Sequence, residues 1–309
     1  MAPHALGLGL GVGLGMAILV PVAMRSAAAP TPGVCDPPAV VARAAAALAW
    51  SGAGDVGVSA AEDYRQQFVG LAEPDRAVLP PITIRDDIRL PPPPAAAIRP
   101  TTSRRIRAAF LFVSSAGRGW SGYRAVRTVD GRPPADAVVA VAPTALDAVA
   151  LAGWRRRSAD GQRHLLGPIA RQLNVPTAAL AALHPAHRDR FVFTAAPAAV
   201  RGTCRVRFQE TEAPTILQSG IEDDVPSSGL FDVDSATGRV VQSELMGANR
   251  ASGVASRTTV RYIHDPRLQL SVPREMREEF AAPTGERVRG VARYSGFAVV
   301  TSAADRDRR

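Results

Sequence analysis

Asp232 and Asp234 are separated by one residue in the stretch GLFDVDSATGRVVQSEL, a spacing that on a strand sends both carboxylates to one face. Two such groups can share a proton or a metal. A calcium loop of the EF-hand type needs oxygen ligands at positions 1, 3 and 5, glycine at 6 and glutamate at 12. Counted from Asp232, the fifth residue is Ala236, the sixth Thr237 and the twelfth Ser243, so the match ends after two ligands. The simpler reading is a hairpin. Asp234-Ser235-Ala236-Thr237-Gly238 offers a side-chain-stabilised turn, with a glycine for positive φ, between a strand ending near Val233 and one beginning near Arg239.

Glu210-Thr-Glu212 and Glu278-Glu279 are further carboxylate pairs, and their settings read as a solvated strand edge and a helix face. A hydrolase built on Glu210, Glu212, Asp232 and Asp234 is the enzymatic reading these residues allow. His184-Pro-Ala-His187, with His164 and His264 elsewhere, flanks a proline at a helix end and lacks the i, i+4 spacing of a helical zinc pair, so it reads as solvated loop histidines. Ser121, in Gly119-Trp-Ser-Gly-Tyr123, misses the final glycine of a hydrolase nucleophile elbow. The glycine-rich N-terminal segment lacks the Lys-Ser/Thr ending of a phosphate loop. No catalytic residue, metal or cofactor is expected. Cys35 and Cys204 are the only cysteines; they form one disulfide between the N-terminal region and a mid-chain strand, or remain two buried thiols.

Residues 1–29 read as an export signal, with an apolar run from Ala5 to Ala23, then Arg25 and the small residues Ser26 to Ala29; the alternative is an uncleaved anchor. Pro32-Gly33-Val34 ahead of Cys35 fits lipid attachment badly. Export implies a periplasmic or extracellular location. The chain of 309 residues has 37 basic and 28 acidic side chains and a net charge of +9, and every basic residue is arginine. So basic a chain prompts a nucleic-acid reading. Aromatic residues make up only 5% and do not interleave with the arginines, which argues against base stacking and leaves an anionic membrane surface or a protein as partner.

The elements that position these residues follow from periodicity. Pro38 to Trp50 predicts a helix, and Val56 to Tyr64 a strand with Val58, Ala60, Glu62 and Tyr64 on one face. Residues 80–105, with Pro91 to Pro94, predict a loop. Strands are predicted over 107–114 and 123–129. Residues 143–184 form a helical insertion, with Thr144 or Asp147, Asp160, and Asn174 or Thr177 as helix caps. Further strands are predicted over 191–194, 204–210, 230–233, 239–245, 257–264 and 288–301, and 302–309 as a frayed tail. Without regular strand–helix alternation, this order implies an α+β class, one domain over 30–301 with helices covering one face of an antiparallel sheet.

The succession RVRFQETEAPTIL, GLFDVDSATGRVVQSEL, TTVRYIHD, LSVPREMREEF and VRGVARYSGFAVV resembles the strands and Thr-Gly turns of the LolA/LolB-like lipoprotein-sorting carrier superfamily. More closely, AAEDYRQQF, VRTVDGRP, LNVPTAALAALHP, RFVFT and VPREMREEF are similar to a set of exported bacterial proteins without assigned activity. The resemblance implies a curved antiparallel half-barrel, closed on its open side by helices, with an apolar cavity for acyl chains and no catalytic motif. Phe110, Phe112, Val206, Phe208, Val260 and Tyr262 are then candidate cavity-lining residues, or ordinary core. The functional expectation is a non-enzymatic exported protein that binds a lipid or other apolar ligand. The alternatives are a periplasmic sensor or protein-interaction module and the carboxylate hydrolase.

Overall fold

The computed structural model describes residues 35–48, 56–70, 102–115, 119–134, 146–165, 176–198, 200–218, 224–248, 253–283 and 285–300. The export segment, residues 80–101 of the proline-rich loop and the C-terminal tail lie outside these. Helix α1 (Pro37–Leu48) leads into β1 (Val56–Val69), β2 (Thr102–Ser115) and β3 (Gly119–Val129). Helix α2 (Ala148–Gly161), a 3-10 helix (Ala178–Leu183) and the single turn α3 (Pro185–Arg188) follow. The rest is strands: β4 (Phe191–Ala196), β5 (Thr203–Glu210), a small hairpin of β6 (Leu217–Gln218) and β7 (Asp224–Val225), β8 (Ser227–Asp234), β9 (Val240–Ala248), β10 (Ala255–Asp265), β11 (Leu270–Ala281) and β12 (Arg287–Val300).

Among the described residues ten strands make one sheet in the order β3-β2-β1-β12-β11-β10-β9-β8-β5-β4, every neighbouring pair antiparallel. Seven of its connections join sequence neighbours. The exceptions, β1 to β12 and β5 to β8, are where distant segments meet. Among the described residues the sheet is open, with β3 and β4 as its ends. The α+β class stands, with three corrections. LSVPREMREEFA is strand β11 rather than a helix, because its alternation continues through Met276, Glu278 and Phe280. Strand β2 begins at Thr102, inside the expected loop, since Thr102 to Ile106 pair with Phe68 to Tyr64. Helix α2 starts beside Asp147, whose Oδ1 accepts the Ala150 N–H at 2.6 Å, as its capping role predicts. It then runs through Gly153 to Gly161, so Asp160 ends this helix instead of opening another.

The sheet is strongly curved. The six-residue 3-10 helix lies against both β3 and β9, which are six strand spacings apart. Laid flat, those spacings would cover about 29 Å, whereas such a helix is only about 12 Å long. Register shifts in β1, β2, β8 and β10 supply local bends, and Gly296 (φ 64°) sits at the β1–β12 irregularity.

The main core lies on the concave face, under Val40, Val41 and Ala44 of α1, Ala179, Leu180, Ala182 and Leu183 of the 3-10 helix, and Leu217 and Val225 of the small hairpin. Helix α2 differs from the expected one-sided cover. Its Trp154 packs with Leu146, Ala109, Leu111 and Val113 on the opposite, convex face.

The rest of the convex face carries many charged side chains. Arg105 pairs with Asp63, Arg277 and Arg293 share Glu275, and Arg289 pairs with Glu279. Arg257 pairs with Glu244, and Arg205 with Asp232. Cross-strand register puts Arg65, Arg107, Arg207, Arg261 and Arg287 on this same face. All five are exposed, and none makes an ion pair among the described residues.

Candidate functional site

The concave face follows from alternation along long strands. In β1, Val58, Ala60, Glu62, Tyr64 and Gln66 point inward, and cross-strand register sets Phe112, Phe110 and Ile106 of β2 beside them. On β12, Tyr294 and Ala292 stand opposite Glu62 and Tyr64. All six expected cavity residues lie on this face: Phe110, Phe112, Val206, Phe208, Val260 and Tyr262 are each no more than 7% exposed and belong to one continuous cluster. They form three neighbouring pairs on β2, β5 and β10, and the sheet brings other aromatics to them. Phe110 and Phe112, 4.6 Å apart between ring centroids, meet Tyr294 edge-on at 5.6 and 6.0 Å. Phe208 stacks on Phe231 at 4.7 Å and meets Phe191 edge-on at 5.8 Å. These geometries suit aromatic quadrupoles.

Between the aromatic groups runs a buried polar chain that residue-by-residue reading missed. The Arg124 guanidinium on β3 reaches across Phe110 to the Glu62 carboxylate on β1, with Nη2 to Oε1 at 2.7 Å and both side chains at most 5% exposed. Burial alone would lower the guanidinium pKa; the adjacent carboxylate outweighs it and raises it. Its Cζ lies 5.0 Å from the Tyr64 ring centroid and 5.6 Å from that of Phe110, within cation–π range. Gln66 Nε2 donates to Tyr64 Oη at 2.7 Å, and Tyr64 Oη donates to Glu278 on β11. Gly290 makes this possible: a Cβ there would come within 2.6 Å of Tyr64 Oη and 2.8 Å of Glu278 Cγ, so the ring crosses β12 only above a bare backbone. Burial, and then the Glu62 charge, push the Tyr294 phenol well above its ordinary pKa. The inward phase of Glu62 and Tyr64 was legible in β1, but their partners lie 62 and 214 residues away.

The covering segments are fastened at a few points. Cys35 and Cys204 form a disulfide, with 5.5 Å between Cα atoms, tying the start of α1 to β5. Tyr262 Oη donates to the Pro176 carbonyl at 2.8 Å and lies 2.9 Å from Ser243 Oγ, which holds the 3-10 helix to β10 and β9. Burial raises this phenol's pKa, keeping it a neutral donor. Tyr262→Phe should therefore cost about 1–3 kcal/mol, because the Pro176 carbonyl and Ser243 hydroxyl lose a buried partner. Urea unfolding checks the magnitude, and faster amide exchange confined to residues 176–183 would locate it.

The third fastening corrects the expected solvated strand edge. Glu210 is buried, accepting from Ile216 N at 2.8 Å and from Ser227 Oγ at 2.8 Å, so it clamps the small hairpin segment; Glu212 is exposed. Glu279 points outward to Arg289 while Glu278 points inward, as strand alternation requires. Asp232 is an ion-pair partner of Arg205 on the convex face, with both distances 2.7 Å. Glu210 and Asp232 thus lie on opposite faces, and the carboxylates of the hydrolase reading do not converge.

Asp234 makes the expected turn. Its Oδ1 accepts from Thr237 N and Thr237 Oγ1, both at 2.7 Å, and Gly238 has φ 72°. The Thr237 hydroxyl, then its amide, hold the Asp234 carboxyl below its ordinary pKa. That contribution is present above the unfolded carboxylate pKa and is lost as pH falls through the folded one. A Cβ at Gly238 would come within 3.0 Å of Arg43 Cβ, so the bare turn also seats α1.

His184 accepts from Ala186 N at 3.2 Å and His187 meets Arg190, a local cap rather than a ligand pair. Burial, then His187, lower the His184 pKa. Ser121 lies within β3, opposite Val113. Among the described residues no three or more His, Cys, Asp or Glu side chains gather as a metal site would need.

No protein-family model and no curated protein matches the chain. Solved structures align with most of the chain, two of them as follows. One is a domain from Vibrio parahaemolyticus named for outer membrane lipoprotein sorting, at 12% identity and TM-score 0.38 over 85% of this chain and 92% of that one. The other is a DUF1329 family protein from Desulfovibrio piger, at 8% identity and TM-score 0.33 over 84% of this chain and 90% of that one. The fold described above rests on strand order and register.

Proposed function

We propose that this is an exported, non-enzymatic protein that takes a lipid or another apolar ligand between the concave face of its sheet and the segments covering it. The observation that carries the reading is how that face is covered. Among the described residues, a sheet face lined by Phe110, Phe112, Val206, Phe208, Val260 and Tyr262 meets one 12-residue helix, one six-residue 3-10 helix and a small hairpin. Each is fastened at a discrete point, so one cover can part without breaking a strand ladder. Apolar ligands favour a concave apolar wall with a few placed polar groups, and the Glu62–Arg124–Tyr64 chain supplies such groups. Export agrees with the Cys35–Cys204 disulfide, since structural disulfides belong to oxidising compartments.

Native mass spectrometry of the full chain purified from an exporting host, followed by organic extraction, tests the reading. The expected result is a co-purifying apolar molecule released on denaturation. If none is found, and an added fatty-acid probe gives no adduct, the reading fails. The protein-interaction alternative then leads. Its observation is β4, a terminal strand of the sheet whose Val192 is 54% exposed and which can accept an added strand.

A further inference from the structure

We infer that the convex face of the sheet docks onto an anionic lipid bilayer. Away from the hairpin turns, the paired positions of β1, β2, β5 and β8 to β12 on this face hold eleven arginines and five carboxylates, an excess of six positive charges on a chain whose total is +9. The aspartates at its turns are held locally and keep their charge: Asp130 by the Arg105 amide, Asp234 by Thr237 and Asp265 by Arg267. Arg155 and Arg156 of α2, which packs on the same face, extend the basic area.

Composition alone does not produce this concentration. The whole chain has 37 arginines to 28 acidic residues, so a solvated sheet face sampling it evenly would be nearly balanced. The opposite face instead buries its guanidinium, Arg124, against a carboxylate.

The shape and chemistry of the face choose among anionic partners. It is convex, so it presents the arginines of its outermost strands to a flat array of headgroups over more of its area than it meets a convex nucleic-acid rod. None of the large exposed hydrophobic side chains among the described residues is aromatic, so unstacked bases find no platform. Arginines near an anionic leaflet attract it over a Debye length of about 8 Å at physiological salt. The inference stands whether or not the concave face takes an apolar ligand. Together, the two would place the covered face away from the bilayer.

Vesicle co-sedimentation of the full chain tests it, using phosphatidylglycerol–phosphatidylcholine vesicles against pure phosphatidylcholine. Two variants of equal net charge are compared: Arg65→Gln/Arg107→Gln/Arg261→Gln on the convex face, and Arg43→Gln/Arg188→Gln/Arg201→Gln away from it. Both keep the same N-terminal segment, so any membrane affinity of that segment cancels. The wild type should sediment with the anionic vesicles only and be released by high salt. The convex-face variant should lose about five-fold in partitioning for each arginine that reaches the headgroups, while the control variant keeps most of it. Equal loss in both variants, no salt dependence, no sedimentation, or tighter binding to a DNA duplex or polyglutamate at matched charge would each overturn the inference. Circular dichroism of both variants confirms that the comparison is between folded proteins.

Discussion

Replacing Arg124 by methionine should destabilise the protein by about 3–5 kcal/mol, a large fraction of an ordinary domain's stability. The Glu62 carboxylate would remain, its side chain 0% exposed and without the guanidinium that is now 2.7 Å away. A buried unpaired charge costs far more than the pair gains, because both ions gave up their water to meet. The rings of Tyr64 and Phe110, which lie against the guanidinium, would also lose their cation. The double variant Glu62→Leu/Arg124→Met should recover most of the loss, since two apolar groups of similar volume leave no orphaned charge. Urea unfolding followed by circular dichroism reads both. A single variant that loses under about 1 kcal/mol would mean the pair is not buried in solution. The pair also joins β1 to β3 across β2, so the single variant should loosen the curled end of the sheet before the β8–β9 end.

Opening the Cys35–Cys204 bridge, by reduction or by Cys35→Ser, should cost a similar amount. The bridge spans a sequence separation of 169 residues, for which loop-closure entropy in the unfolded chain predicts about 5 kcal/mol at 25 °C. Strain or residual unfolded structure would lower that figure. The effect has a direction in space as well. Cys35 begins the chain that leads into α1, and Val40, Val41 and Ala44 of that helix cover the concave face beside β5. The reduced protein should therefore open at α1 first, with amide exchange of residues 37–48 rising before that of β10 to β12. Unfolding with and without reductant measures the energy. Equal midpoints would show that the bridge holds nothing the packing does not already hold.

Much of the architecture was legible in the residues because it is local. Alternation in β5 and β10 is a property of neighbours two apart, and the Asp234 to Gly238 turn is closed by its own side chains, so both emerged with nearly correct limits. The misreadings came where local signals were ambiguous. PREMREEF carries charges at a spacing that suits a helix as well as a strand, and only pairing with β10 and β12 decides it. The Glu210 pair looked solvated because nothing beside it in sequence shows that Ser227 will stand over it.

Sequence by itself determined the α+β class, the shared phase of Val206 and Phe208 in β5, and the hairpin in place of a calcium loop, since periodicity and turn chemistry act within a few residues; Phe110, Phe112, Val260 and Tyr262 were named only through the family resemblance. Tertiary structure alone decided that Arg124 meets Glu62, that Glu278 meets Tyr64 above Gly290, and that the arginine excess collects on the convex face. Those outcomes depend on which strands become neighbours. Pairing β1 with β12 joins positions more than 200 residues apart, and the free energy that selects it is summed over the whole sheet and its core rather than written in any one segment.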